Sequence, residues 1–312
     1  MVIATDINPT ELNTVPPKAA ANRAAERRPY PTSAAPVRDH RLAKLWRDNG
    51  TLTEQDFKRV IAAQREHGGQ FGDTALRLGL VTELDVRRAL ARQCDLPTMV
   101  PDTDTFSRQL VAAHQPFSAR TEALRGLRSE LLLRWFGQGH SVLAVAEARR
   151  QQGAEQLAAN LAWLYAQLGQ RTLLIDCNLR QPQQQQLFKL SVRAGLSDFL
   201  NGRCDLEQAI TQVPGFNQLS IMFAGAAPGN PQELLSLESF RYLLATVSEG
   251  FDVVILAGPP LLECADMQMI AARAGGCVLS VRRHRTHVSD IEAAKLRLAP
   301  SAATLLGMVL EG

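Results

Sequence analysis

A chain of 312 residues, 46% of them apolar, is long enough for one α/β domain and a small second module. Its net charge of +3 is too slight to direct it to nucleic acid or to an anionic membrane, and its basic residues are scattered without interleaved aromatics. Five cysteines form no C-x-x-C pair and no ligand spacing with histidine, which reads as reduced thiols and argues against a metal site.

Residues 1–37 are rich in Pro and Ala without periodicity and read as a flexible tail. No basic start is followed by an apolar core, and no apolar run reaches the roughly 18 residues of a membrane span. The expected location is therefore the cytoplasm.

Residues 38–98 repeat themselves. RLAKLWRDNGTLTEQDFKRVIAAQ (41–64) aligns with QFGDTALRLGLVTELDVRRALARQ (70–93), and Gly50 with Gly79, Leu52 with Val81 and Gln64 with Gln93 all stand 29 residues apart (79 − 50, 93 − 64). A turn and a helix at one period predict two similar helical units packed together. The pattern resembles the N-terminal domain of type II secretion and pilus ATPases, a module that in some members binds cyclic di-GMP. Arg41 and Leu42 match the start of the first copy, and Ala43 replaces its Gly. In the second copy Gln70 replaces the Arg, while Phe71 and Gly72 fit. The resemblance implies either a protein-docking module or a cyclic di-GMP site that uses Arg41 and Gly72.

Residues 99–116 read as a linker. After it, EALRGLRSEL (122–131) predicts a helix with Glu122, Arg125 and Arg128 along one side and Leu124, Leu127 and Leu131 along the other. On pattern alone this is an amphipathic surface helix.

The apolar run from Val142 to Ala146 predicts a strand. The stretch after Gly153 predicts a helix with Leu157, Leu161, Leu164 and Leu168 on one face and Gly169 as its stop. A second strand follows in LLIDCNLRQP (173–182), giving the order of a parallel βαβ unit whose loop presents N–H groups to a phosphate. Such a loop ordinarily ends in Gly-Lys-Ser/Thr, the ammonium reaching phosphate and the hydroxyl magnesium. Here the residues are Gly153, Ala154 and Glu155. A carboxylate 4 Å from a phosphate charge is repelled by about 4 kcal/mol in a surface-like dielectric. Arg149 and Arg150 lie inside the loop, either as residual phosphate contacts or as solvated charges. Further strands are predicted at 218–223, 252–257, 276–282 and 304–310, so the class is α/β with a mostly parallel sheet covered on both faces.

The helix 122–131, LLIDCNLRQP, GLSDFLNG (195–202), AGAAPGNPQELL (224–235), FDVVILAGPP (251–260) and VRRHRTH (281–287), in that order, resemble the bacterial tyrosine autokinases of capsule and exopolysaccharide assembly. The preceding segment 68–93 resembles the EpsG-type, chain-length-determinant-associated members. The resemblance covers residues 117–312 and implies a domain of P-loop NTPase type. It also implies that Ala154 replaces the phosphate-binding lysine, Glu155 the magnesium-binding hydroxyl, Asn178 the second aspartate of an acidic motif and Ala257 a strand-end aspartate. Asp176 keeps the first aspartate of that motif, either as a metal ligand or as a structural polar group. The family's C-terminal tyrosine run has no counterpart in LGMVLEG, and the tyrosines are Tyr30, Tyr165 and Tyr242.

Glu122, Arg125 and Arg128 match the family's ring-packing motif. The resemblance therefore implies a pseudokinase that forms homo- or hetero-oligomers with a membrane chain-length regulator or a sister kinase. Residual binding of ATP and magnesium would pass through Arg149, Arg150, Gly153 and Asp176. The alternatives are an active kinase with a rearranged loop and a cyclic di-GMP-responsive regulator.

Overall fold

The computed structural model describes residues 46–47, 50–67, 71–82, 85, 105–150 and 153–311. The tail at 1–37 and Arg41 lie outside the described residues. Those described fall into two compact units, one before residue 100 and one after it.

The first unit contains α1 (Glu54–His67) and α2 (Phe71–Arg77). The 29-residue period is visible in its atoms. Gly50 and Gly79 both turn at positive φ, 69° and 66°, a conformation that glycine adopts without a Cβ penalty. Directly after each buried Leu52 or Val81, the chain repeats one capping device. Thr53 Oγ1 donates to Asp56 Oδ2 at 2.6 Å, and Asp56 N–H donates back to Thr53 Oγ1 at 3.2 Å. Thr82 and Asp85 make the same two bonds at the same lengths. Trp46, Leu52, Val60, Phe71, Ala75 and Val81 form the unit's core. Gly72 is buried in the first turn of α2.

The second unit opens with α3 (Val111–His114) and α4 (Ala119–Arg134), followed by β1 (Val142–Glu147), α5 (Gly153–Gln167) and β2 (Thr172–Asp176). Short helices α6 (Gln184–Phe188), α7 (Leu196–Leu200) and α8 (Leu206–Ala209) lead to β3 (Ile210–Gln212) and β4 (Leu219–Met222). Then come α9 (Pro231–Ser236), α10 (Glu238–Gly250), β5 (Val253–Ala257), α11 (Asp266–Ala274), β6 (Gly276–Arg282), α12 (Val288–Leu298) and β7 (Thr304–Glu311). The sheet order is β3-β4-β2-β5-β1-β6-β7. All neighbours are parallel except β3 and β4. The six predicted strands all form. β3, three half-exposed residues long, is the addition.

β1, β2, β4 and β5 are buried along their whole length, which is why they read as mostly apolar runs without alternation, with Ser220 inside β4 the one polar residue within a strand's interior. α5 differs from the one-faced helix expected of it, because every residue except Gln156 is buried. A helix apolar all round needs cover on both sides.

The outer cover is the segment from Thr105 on, which corrects the linker expected over 99–116. Phe106 packs edge-on against Trp163 and Phe188, with ring centroids 5.6 and 6.0 Å away. Asn160 on α5 accepts the Ala112 N–H at 2.8 Å and donates to the Gln109 carbonyl at 3.1 Å. Full burial of one such aromatic is worth about 1.5–3 kcal/mol, so these residues belong to the core.

Two glycines permit close approach. A Cβ on Gly276 would lie 2.5 Å from the ring of Trp135, whose indole N–H donates to the Val142 carbonyl. On Gly195 a Cβ would lie 2.3 Å from the Phe223 carbonyl oxygen, and this contact joins GLSDFLNG to the segment that opens AGAAPGNPQELL. No helix among the described residues is long and apolar enough to cross a membrane.

Candidate nucleotide site

Parallel strands that end side by side bring their C-terminal residues together. Across the sheet Val145, Ala257 and Asp176 are in register on β1, β5 and β2. The Cys177 N–H donates to the Ala257 carbonyl at 2.9 Å, and the Gly258 N–H to the Val145 carbonyl at 3.0 Å. α5 starts above this row, so the structure brings Gly153, Ala154, Glu155, Asp176, Asn178 and Ala257 to one end of the sheet.

Ala154 and Ala257 are fully buried and carry no polar group. Glu155, only 4% exposed, faces inward. Its Oε1 accepts from Asn178 Nδ2 at 3.1 Å, its main-chain carbonyl accepts from Gln184 Nε2 at 3.1 Å, and its Oε2 has no hydrogen-bond partner among the described residues. Burial raises its carboxyl pKa, against the Asn178 bond and the charge of Arg150.

Asp176 is the deepest acid. It accepts N–H bonds from Asn178 (3.2 Å), Gln183 (3.1 Å) and Gln184 (3.0 Å). Complete burial pushes its pKa up to about 7 against those donors, and the neighbouring Glu155 charge acts in the same direction as burial. Asp176 thus fixes the turn from β2 into α6.

The loop itself is tied to the protein's own acids. Gly153 donates its N–H to Glu147 Oε2 at 3.2 Å, and Arg150 donates its N–H to Glu263 Oε1 at 2.8 Å. The Arg149 side chain pairs with Asp290 at 3.0 Å and stays 57% exposed, a surface pair worth at most about 1 kcal/mol. Arg180 grips Asp266 with Nε at 2.7 Å and Nη2 at 3.1 Å. That fork joins the turn after β2 to the first turn of α11.

This donor set does not fit magnesium and a nucleoside triphosphate. No ammonium stands at position 154, no hydroxyl at 155 and no carboxylate at 257, and the site gains a buried acid.

The three charges on α4 divide. Glu122 and Arg125 pair with each other at 3.0 Å, with Glu122 74% exposed. Arg128 is half-buried and donates from Nη1 to the Leu164 carbonyl of α5, while the Tyr165 hydroxyl donates to the Arg128 carbonyl. Burial raises the Tyr165 pKa above the usual phenol range. Arg128 is therefore a tie between two helices of this chain, apart from the Glu122–Arg125 pair.

Sequence reasoning missed Glu147, Glu263, Asp266 and Asp290. Glu147 alone left a signal, a charged residue directly continuing an apolar strand into the loop.

No family model matches the chain. Curated relatives do: it is 32% identical over 207 residues to the Bacillus subtilis tyrosine-protein kinase YwqD, covering 66% of this chain and 87% of that one. It is 31% identical over 211 residues to a putative tyrosine-protein kinase in the cps region of Klebsiella pneumoniae, covering 67% of this chain but spanning only 29% of that relative's length. The solved kinase domain of the Escherichia coli tyrosine kinase ETK superposes with a TM-score of 0.63 at 28% identity, over 65% of this chain and 79% of that one. On the match to YwqD, supported by the shared domain fold, the chain belongs to the family of bacterial tyrosine-protein kinases.

Proposed function

We propose that the chain is a member of this family that has lost phosphoryl transfer and works by assembly in exopolysaccharide biosynthesis. Its partner is the cytoplasmic part of a membrane chain-length regulator or a sister kinase, which would hold it at the inner face of the membrane. The observation that carries the reading is the buried Glu155, bonded to Asn178 beside Asp176. The family resemblance implies a magnesium-binding hydroxyl where Glu155 stands, and the Glu155–Asn178 hydrogen bond, joining two replaced residues, supports the loss of that ligand. Phosphoryl transfer is chiefly positioning and charge stabilisation, so a site without the cation and the lysine lacks its main terms.

The test is incubation with magnesium and ATP, alone and with a sister kinase, followed by phosphotyrosine mapping. The reading predicts no autophosphorylation of the chain alone. Phosphate appearing on the exposed Tyr242 without a second kinase would overturn it.

A further inference from the structure

We propose that an open cavity between α10 and the start of β1 is a docking site for an acidic segment of a partner protein, whose carboxylate Arg241 and Arg273 receive. The proposal rests on the reading of this chain as a component of an assembly, and it gives that reading a surface and a partner chemistry.

The cavity measures about 260 Å³ and is lined by Val142, Arg241, Leu244, Ala245, Ser248 and Arg273. Positions 241, 244, 245 and 248 stand three or four residues apart and so share one side of α10. Arg273 arrives from the last turn of α11, and the buried Val142 and Leu244 supply apolar surface. Val142 is the first residue of β1, so the cavity lies at the end of the sheet opposite to Asp176 and Glu155.

Two guanidinium groups thus line one cavity, and no carboxylate lines it among the described residues. Arg241 pairs with Glu238 one turn back, but both side chains are 65% exposed and the pair is screened by solvent. Arg273 donates from Nη2 to the Ser236 carbonyl at 3.5 Å, a length at which the bond is weak. Like charges beside one cavity repel, and an anion between them is attracted by both. The planar fork of arginine suits a carboxylate, which it grips with two parallel bonds.

Size and surroundings favour a protein segment as the source of that carboxylate. Pockets that enclose drug-sized ligands start at about 300 Å³, and this one is smaller and open. Tyr242 on α10 is 65% exposed, and Leu237, directly before the helix, is 43% exposed. Tyrosine and arginine are the residues that dominate protein interfaces, and large side chains left in water beside a charged cavity gain from being covered.

The probe is a capped five-residue peptide with one glutamate between leucines, titrated into the full chain while the arginine Nε–H signals are followed by NMR. Saturable shifts at Arg241 and Arg273 are expected, with a Kd in the millimolar range or tighter. The same peptide with glutamine in place of glutamate should bind at least about tenfold more weakly, since charge-assisted bonds are lost. Arg241→Gln and Arg273→Gln should each weaken binding of the glutamate peptide to a similar degree, and either one reports if the other fails to fold.

No saturable shift with the glutamate peptide, equal affinity for the two peptides, or undiminished binding by a folded variant would overturn the proposal. Inorganic phosphate serves as a second probe and should bind more weakly than the glutamate peptide. Phosphate binding as tightly would overturn the assignment to a protein segment by showing a site for small anions. None of these results bears on phosphoryl transfer, which the phosphotyrosine assay reads separately.

Discussion

Asn178 donates its side-chain amide to Glu155 Oε1 at 3.1 Å, joining directly two positions at which the family resemblance implies replaced site residues, a magnesium-binding hydroxyl and an acidic-motif aspartate. The two substitutions compensate each other. An aspartate at 178 would face Glu155 and Asp176 as a third acid, whereas an amide supplies the donor that a buried carboxylate requires. Asn178→Asp should therefore lower stability by about 1–3 kcal/mol at neutral pH and by less near pH 5, where carboxyls protonate. Urea midpoints at the two pH values measure this, and an unchanged midpoint at neutral pH would contradict the pairing.

The buried acids also set a pH slope. Asp176 is raised from 3.8 to about 7 by burial, so between those values the folded state binds more protons than the unfolded chain. Its contribution to stability is full below the unfolded pKa and is lost as pH rises through the folded one, at about 1.4 kcal/mol per pH unit in that window. Glu155 is raised too and acts in the same direction. Asp176→Asn should flatten the fall in unfolding free energy between about pH 4 and 7, and a slope equal to that of the wild type would refute the assignment.

Arg180 and Asp266 are unequal partners, the arginine side chain 46% exposed and the carboxylate 1%. Arg180→Ala leaves a buried charge without its fork and should cost about 3 kcal/mol. Asp266→Asn, which frees the arginine into solvent, should cost about 1–2 kcal/mol. Calorimetric melting of both variants decides, and the reverse order would contradict the burial argument.

The α4 charges should separate by role. Arg125→Ala breaks only a surface pair and should change stability by no more than about 0.5 kcal/mol. Arg128→Ala removes the bond to the Leu164 carbonyl and should cost about 1–2 kcal/mol. If the exposed Glu122 and the half-buried Arg125 paired with it serve assembly, Arg125→Ala lowers the sedimenting mass without lowering the melting temperature.

Much of the fold was legible because β1, β2, β4 and β5 are buried along their whole length and so appear as mostly apolar runs. β3 left no such trace, being three residues whose pairing is supplied by β4. The segment after Thr105 passed for a linker because its regular structure is a single short helix and its anchor, Asn160, lies 48 residues from Ala112. The replaced positions Ala154, Glu155, Asn178 and Ala257 were readable by type, yet the Glu155–Asn178 bond was not, since nothing in a sequence orients a side chain. Arg128 read as one of a row of three surface charges. Its inward turn depends on α5 packing beneath it.

The central claim, that the loop no longer serves a nucleotide, is tested most directly by calorimetric titration of the purified chain with ATP, with and without magnesium. The account predicts no binding heat up to millimolar ATP in either condition. Magnesium-dependent binding in the micromolar range would contradict it.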